Sequence, residues 1–153
     1  MIFLTVGNRY PFDRLVRAVD ELGLDEPLIA QIGEGAYEPK HMEWARYFDG
    51  DTYDAHVRDA SALIGHAGSG TIATALSLGK PLLVMPRLVA HKEHVNDHQV
   101  ATARTYAELR SVLAAFSVDE LAALVARLGE FVPHRREPNV TGLVDRISDF
   151  LGL

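Results

Sequence analysis

Cysteine is missing from all 153 residues. Its absence excludes a disulfide framework, a thiolate nucleophile and a cysteine-ligated zinc, and nothing in the chain asks for an oxidising compartment. Long apolar runs are missing too: no stretch approaches the ~18–20 residues that cross a bilayer. The opening Met1-Ile2-Phe3-Leu4-Thr5-Val6-Gly7 has neither the basic start nor the small-residue cleavage site of a signal peptide, and reads instead as a strand. Positive charge is not in excess. Fifteen Lys and Arg against twenty-one Asp and Glu leave a net charge of −6, which argues against nucleic-acid binding while leaving room for a local anion site. Repeats and low-complexity tracts are lacking as well. The expectation is a soluble, cytoplasmic chain with no direct membrane span.

What is present is ordinary globular material, 48% hydrophobic and 24% charged, enough for one core and one domain over residues 1–153. Residues 2–6 are apolar or threonine throughout, the pattern of a strand covered on both faces. Phe12, Leu15, Val16, Val19 and Leu22 then follow helical spacing, with Gly23 placed to stop the helix. A second strand is expected over 28–32, a third over 44–48, and a short helix over 53–58. Residues 62–65, 69–78 and 82–85 read as strand, helix and strand, a compact parallel crossover. A polar helix is predicted over 92–103 and an edge strand over 111–116. Ser117 and Glu120 look like a capping box ahead of Leu121, Leu124, Val125 and Leu128. A loop over 133–138 carries Arg135 and Arg136, and an amphipathic terminal helix is expected over 140–151. Strands alternating with helices predict an α/β fold with a Rossmann-like parallel sheet.

Ligands of open parallel sheets lie beyond the carboxyl ends of the strands. Gly7-Asn8-Arg9, Gly33-Glu34-Gly35, His66-Ala67-Gly68-Ser69-Gly70-Thr71 and Pro86-Arg87 fall there. The third segment follows a buried strand and opens a helix. Its glycines let backbone approach a ligand, its first-turn N–H groups favour an anion such as phosphate, and His66, Ser69 and Thr71 add donors. A tight strand-to-helix turn explains the same glycines without any ligand. Gly68 to Ala73 also satisfies G-x-G-x-x-A, the dinucleotide fingerprint, with Arg87 past the next strand to meet a 2′-phosphate; against this, the motif belongs to a late strand.

His91, His94 and His98 are three and four apart and, on one helix face with Asp97, would suit a divalent metal. No H-E-x-x-H supports that, and a solvated helix balancing negative charge explains them equally. Glu93 with Asp97 invites an acid–base pair, though carboxylates on an exposed helix are usually solvated. G-x-S-x-G is absent, so no serine triad is marked.

Three separated blocks carry a resemblance. They are His66 to Ile72, Gly79 to Arg87, and His94-Val95-Asn96-Asp97-His98-Gln99, with Met1 to Leu15 in support. Together they resemble the glycosyltransferase family 28 C-terminal domain, and in particular its single-domain donor-binding subunits. The resemblance implies the C-terminal, donor-binding half of a GT-B glycosyltransferase that takes a UDP-sugar, extends a lipid-linked or exopolysaccharide acceptor with inversion, and needs neither cofactor nor metal. It also implies a membrane-associated partner subunit that binds the acceptor, supplies the general base and recruits the chain to the inner face of the membrane; a homo-oligomer is compatible. By likeness, His66, Gly68, Ser69, Gly70 and Thr71 hold the diphosphate, with His66 stabilising the leaving group. Gly7 and Asn8 border the cleft, Arg87 is counted with them among the donor-binding residues, and Gln99 with His98 or Asp97 reaches the sugar. Related transferases place a ribose-binding glutamate where this chain has Thr74, and the substitution loses a charge-assisted pair.

Overall fold

A computed structural model describes residues 1–135 and 148–151. Six strands form one sheet: β1 (Ile2–Thr5), β2 (Leu28–Gln31), β3 (Glu43–Ala45), β4 (Ala62–His66), β5 (Leu82–Met85) and β6 (Leu113–Ala114). All neighbouring pairs are parallel, in the order β3-β2-β1-β4-β5-β6. The chain moves outward from β1 through β2 and β3, returns to the centre at β4, and moves outward the other way. That reversal opens a crevice between the carboxyl ends of β1 and β4, the place where doubly wound sheets bind ligands.

The helices are α1 (Asp13–Asp20), α2 (Gly50–Asp59), α3 (Ser69–Ser77), α4 (His98–Glu108) and α5 (Val118–Leu128). They cover both faces, which is why β1 is apolar without alternation. Ile2, Leu4 and Val6 pack with Leu15, Val16 and Val19 of α1 and Leu121, Val125 and Leu128 of α5. Phe3, on the opposite face, packs with Val57 of α2, Ile72 and Ala75 of α3 and Ala103 of α4. Side chains alternate faces along a strand, so a two-sided core demands apolar residues at every position.

Three local expectations change. The helix foreseen over 92–103 begins only at His98 and runs to Glu108, because a 3-10 turn (Val89–His91) ends at Lys92 with φ 57°. Three carbonyl or carboxylate groups then tie down the intervening loop: Glu93 accepts from Leu88 N, Asp97 from Val89 N and Asn96 from His98 N. The capping box is displaced by one residue. Ser117 makes no side-chain cap bond, and Glu120 accepts instead from Phe116 N at 2.7 Å. The third strand is shorter than expected, ending at Ala45, and this releases Phe48 toward the crevice. Of the predicted terminal helix, residues 148–151 are helical and the rest lies outside the described residues, as does Arg136. No helix among the described residues is long and apolar enough to cross a membrane.

Candidate functional site

The crevice is a groove of about 440 Å3 between the first turns of α2 and α3, closed at its floor by the tip of β1. From the predicted set, Gly7, Asn8, Gly70, Thr71 and Thr74 line it. Sequence reasoning missed Gln31, Phe48, Gly50, Tyr53 and Asp54, which line it as well. Four of these five lie between β3 and β4, in a segment with no glycine-loop signal. The aromatic pair Phe48 and Tyr53 next to polar groups was the one hint available.

The groove wall is fixed by hydrogen bonds. Gln31 Nε2 donates to Asn8 Oδ1 at 3.1 Å, and Gln31 Oε1 accepts from Phe48 N at 3.0 Å. One buried amide thereby holds the β1 tip and the β3–α2 loop at a set separation. Tyr53 Oη donates to Thr5 Oγ1 at 3.4 Å, and Thr5 Oγ1 also accepts from Gly7 N.

On the α3 side no side chain caps the helix, so its first-turn N–H groups face outward. His66 packs beneath this loop. A Cβ on Gly7, which has φ 75°, would stand 2.8 Å from His66 Nε2, and one on Gly68 would overlap the ring at Cε1. Gly65 is needed for close approach too: its Cβ would meet Thr5 O at 3.0 Å and Thr71 Cγ2 at 3.2 Å. These glycines let strand, imidazole and helix start share one small volume.

The tautomer of His66 follows from its neighbours. Arg87 N donates to Gln99 Oε1 at 3.1 Å, which orients the amide and leaves Gln99 Nε2 to donate to His66 Nδ1 at 3.3 Å. Nδ1 therefore carries the lone pair and Nε2 the proton, which is donated to Thr71 Oγ1 at 3.2 Å. Thr71 is left with its own hydroxyl proton for the groove. Burial, with Arg87 and His94 adding repulsion, pushes the imidazole pKa down to about 4, so the ring is neutral near pH 7.

Two expectations are corrected here. Arg87 does not border the groove: it is 2% exposed, donates from Nη2 to the carbonyls of Val6, at 2.7 Å, and Tyr10, and lies over the ring of Phe12. Burial lowers its pKa to about 10, still cationic near neutrality. Gln99, expected to reach a sugar, is 3% exposed with both ends of its amide engaged inside the chain. Both residues brace the loops after β1 and β5 from inside. His98 and Asp97 remain exposed at the start of α4, and Ser69 at the start of α3.

Glu93 is a further surprise. It is buried and forms a two-pronged pair with Arg14, whose Nε and Nη2 donate at 2.7 and 2.8 Å. It is structural, not a solvated partner of Asp97. The histidines do not share a helix face either: His91 ends the 3-10 turn, His94 lies in the loop and His98 opens α4. No group of three or more metal-ligating side chains converges among the described residues. The expectation of a metal-independent site meets one pattern in the chain, since Asp49-Gly50-Asp51 spells D-x-D. Asp49, however, is the N-cap of α2, accepting from Thr52 N at 2.9 Å and from Thr52 Oγ1 at 2.7 Å.

A family model for the glycosyltransferase family 28 C-terminal domain matches residues 1–138. The chain belongs to this family. Among curated relatives, the UDP-N-acetylglucosamine transferase subunit ALG13 of Homo sapiens is 32% identical over 119 residues, covering 67% of this chain and 10% of the relative. The subunit of the same name from Yarrowia lipolytica is 22% identical over 173 residues, covering 99% of this chain and 86% of the relative. The chain thus spans about a tenth of the human relative's length. Among solved structures, MurG of Acinetobacter baumannii superposes with a TM-score of 0.63 at 19% identity, over 96% of this chain and 49% of that one. The solution structure of ALG13 gives 0.60 at 20% identity, over 95% and 93%. The Streptomyces sp. SF2575 glycosyltransferase SsfS6, complexed with thymidine diphosphate, gives 0.57 at 21%, over 97% and 36%. At these identities the superpositions establish the fold alone, a parallel Rossmann-like sheet with helices on both faces.

Proposed function

We propose that residues 1–153 form one donor-binding domain, the subunit of a UDP-sugar glycosyltransferase that supplies the nucleotide half of a two-chain active site. The observation that carries this reading is the uncapped start of α3, set at the sheet's reversal and opening on a groove with polar and aromatic walls. A diphosphate fits the first-turn N–H groups of Ser69, Gly70 and Thr71, and a nucleoside fits the cleft between Asn8, Phe48 and Tyr53. The UDP-N-acetylglucosamine named for the ALG13 relatives, and the nucleoside diphosphate named for SsfS6, support that class of ligand.

In this reading the chain acts on the leaving group. As the glycosidic bond to the diphosphate breaks, negative charge grows on the bridging oxygen and is met by preorganised N–H dipoles. His66 is neutral and works through Thr71, whose hydroxyl it leaves free to donate. His98 and Asp97 lie toward the transferred sugar. The acceptor's general base belongs to a membrane-associated partner subunit, as does the surface that excludes water. The acceptor class is lipid-linked or exopolysaccharide, the site is cytoplasmic, and the reaction inverts and requires neither cofactor nor divalent metal.

Titration calorimetry of the chain with UDP and UDP-N-acetylglucosamine, in EDTA and then in magnesium, tests the reading. Saturable binding of UDP with equal affinity in both buffers is expected. Binding of a dinucleotide such as NADPH without binding of UDP would overturn it.

A further inference from the structure

Among the described residues that line the groove, one alone is charged, and it is acidic. Asp54 stands on α2, while Thr71 and Thr74 line the groove from α3. A carboxylate is out of place in a pocket meant wholly for an anion, since it would repel the diphosphate. It is in place only where the ligand presents hydrogen-bond donors. Asp54 is exposed, lines the groove and takes part in none of the ion pairs among the described residues, so no cationic side chain described there neutralises it.

The other polar walls restrict what that donor is. Gln31 is 2% exposed, with its amide nitrogen on Asn8 and its amide oxygen on Phe48 N, so its amide is committed first to the groove wall. Thr71 accepts from His66 and directs its hydroxyl proton outward, which suits a phosphate oxygen. Thr74 lies one turn further along α3, beyond the phosphate end, and carries a hydroxyl and no charge. A ligand running from the start of α3 toward Phe48 and Tyr53 lies in the groove whose α2 wall carries Asp54, and its middle portion is the part left for that carboxylate. In a nucleoside diphosphate that middle portion is the sugar ring, and in a ribonucleotide it carries a vicinal diol with two donors. A carboxylate accepts both, in a charge-assisted pair stronger than a neutral one.

We infer that Asp54 binds the ribose diol of the nucleotide and makes the site select ribonucleotides over 2′-deoxyribonucleotides. The inference rests on the donor-binding reading above. The carboxylate comes from α2, across the groove from the helix that follows the glycine loop, and this leaves Thr74 free of that task. Sequence spacing gave no sign of it, because α2 and α3 are joined through β4 and meet only in the folded sheet.

The test compares UDP with 2′-deoxy-UDP by titration calorimetry, on the wild-type chain and on Asp54→Asn, an isosteric change at an exposed position. The wild type is expected to prefer UDP by about tenfold, the size of one charge-assisted hydrogen bond. Asp54→Asn should bind 2′-deoxy-UDP nearly as the wild type does and lose most of the preference for UDP. Equal affinity of the wild type for the two nucleotides, or a preference retained in Asp54→Asn, overturns the assignment while leaving nucleotide binding intact. Failure of the wild type to bind either nucleotide overturns the donor-binding reading itself, and this inference with it.

Discussion

Gln99 Nε2 donates to His66 Nδ1 across 3.3 Å, and through that contact a residue 33 positions away decides which imidazole nitrogen holds the proton. The amide is itself oriented by Arg87 N, so a backbone N–H, an amide, an imidazole and a hydroxyl form one directed series ending at the groove. Each member has the donor or acceptor its neighbour lacks.

Reversing the middle member should reverse the series. Gln99→Glu presents a carboxylate to Nδ1 and draws the proton there, removing the donor that Thr71 now receives. Nitrogen NMR of labelled histidine should show the His66 proton on Nε2 in the wild type and on Nδ1 in the variant. Affinities for UDP and for a UDP-sugar should fall together, because the defect lies beneath the proposed phosphate site. A loss confined to the UDP-sugar would mean that Gln99 touches the sugar.

Glycine substitutions at the helix start should separate by position. Gly68→Ala drives a methyl into His66 and is expected to cost about 1–3 kcal/mol in urea unfolding, the usual penalty for overpacking. It should weaken UDP binding as well. At Gly70, a Cβ meets nothing within 4 Å, so Gly70→Ala should leave stability unchanged or raise it by up to ~1 kcal/mol. Equal destabilisation by both would contradict the packing of His66 under Gly68.

Stability should decline on mild acidification. His66 has a folded pKa of about 4 against the ordinary imidazole value of 6.5, so between those pH values the unfolded chain binds a proton that the folded chain refuses. Unfolding free energy therefore rises with pH across that window and levels off above 6.5. His94, lowered by burial with His98, Arg87 and Arg9 adding to it, contributes in the same sense. Urea midpoints of His66→Gln measured at pH 7 and pH 5 should differ less than those of the wild type. An unchanged difference would place the acid sensitivity elsewhere.

The Arg14–Glu93 pair fastens α1 to the loop after β5. Glu93→Gln leaves a guanidinium with 16% side-chain exposure facing a neutral amide, and should destabilise the chain by about 3 kcal/mol, the low end for breaking a buried pair. Hydrogen exchange at Leu88 N, which Glu93 also holds, should quicken before global unfolding is reached.

Much of this protein is written in local pattern. The unbroken apolar run of β1, the spacing of Leu15, Val16 and Val19, and the glycines before α3 each follow from short-range sterics and periodicity, and all are legible along the chain. So is the uncapped start of α3 proposed for the diphosphate, because its chemistry is contained in six consecutive residues, His66 to Thr71. Tertiary structure alone decided the rest. The strand order places β1 beside β4, 60 residues distant, and only that pairing makes a groove out of Asn8, Phe48, Asp54 and Thr74. Arg87 looked available to a ligand because polar residues after a strand usually are, and Gln99 because the family resemblance set it toward the sugar. They are buried because the loops after β1 and β5 close over them, with the carbonyls of Val6 and Tyr10 and the ring of His66 supplying partners that no spacing rule foretells. A side chain's hydrogen-bonding capacity is set by its type; whether another part of the chain or a ligand meets it is set by which strands lie side by side.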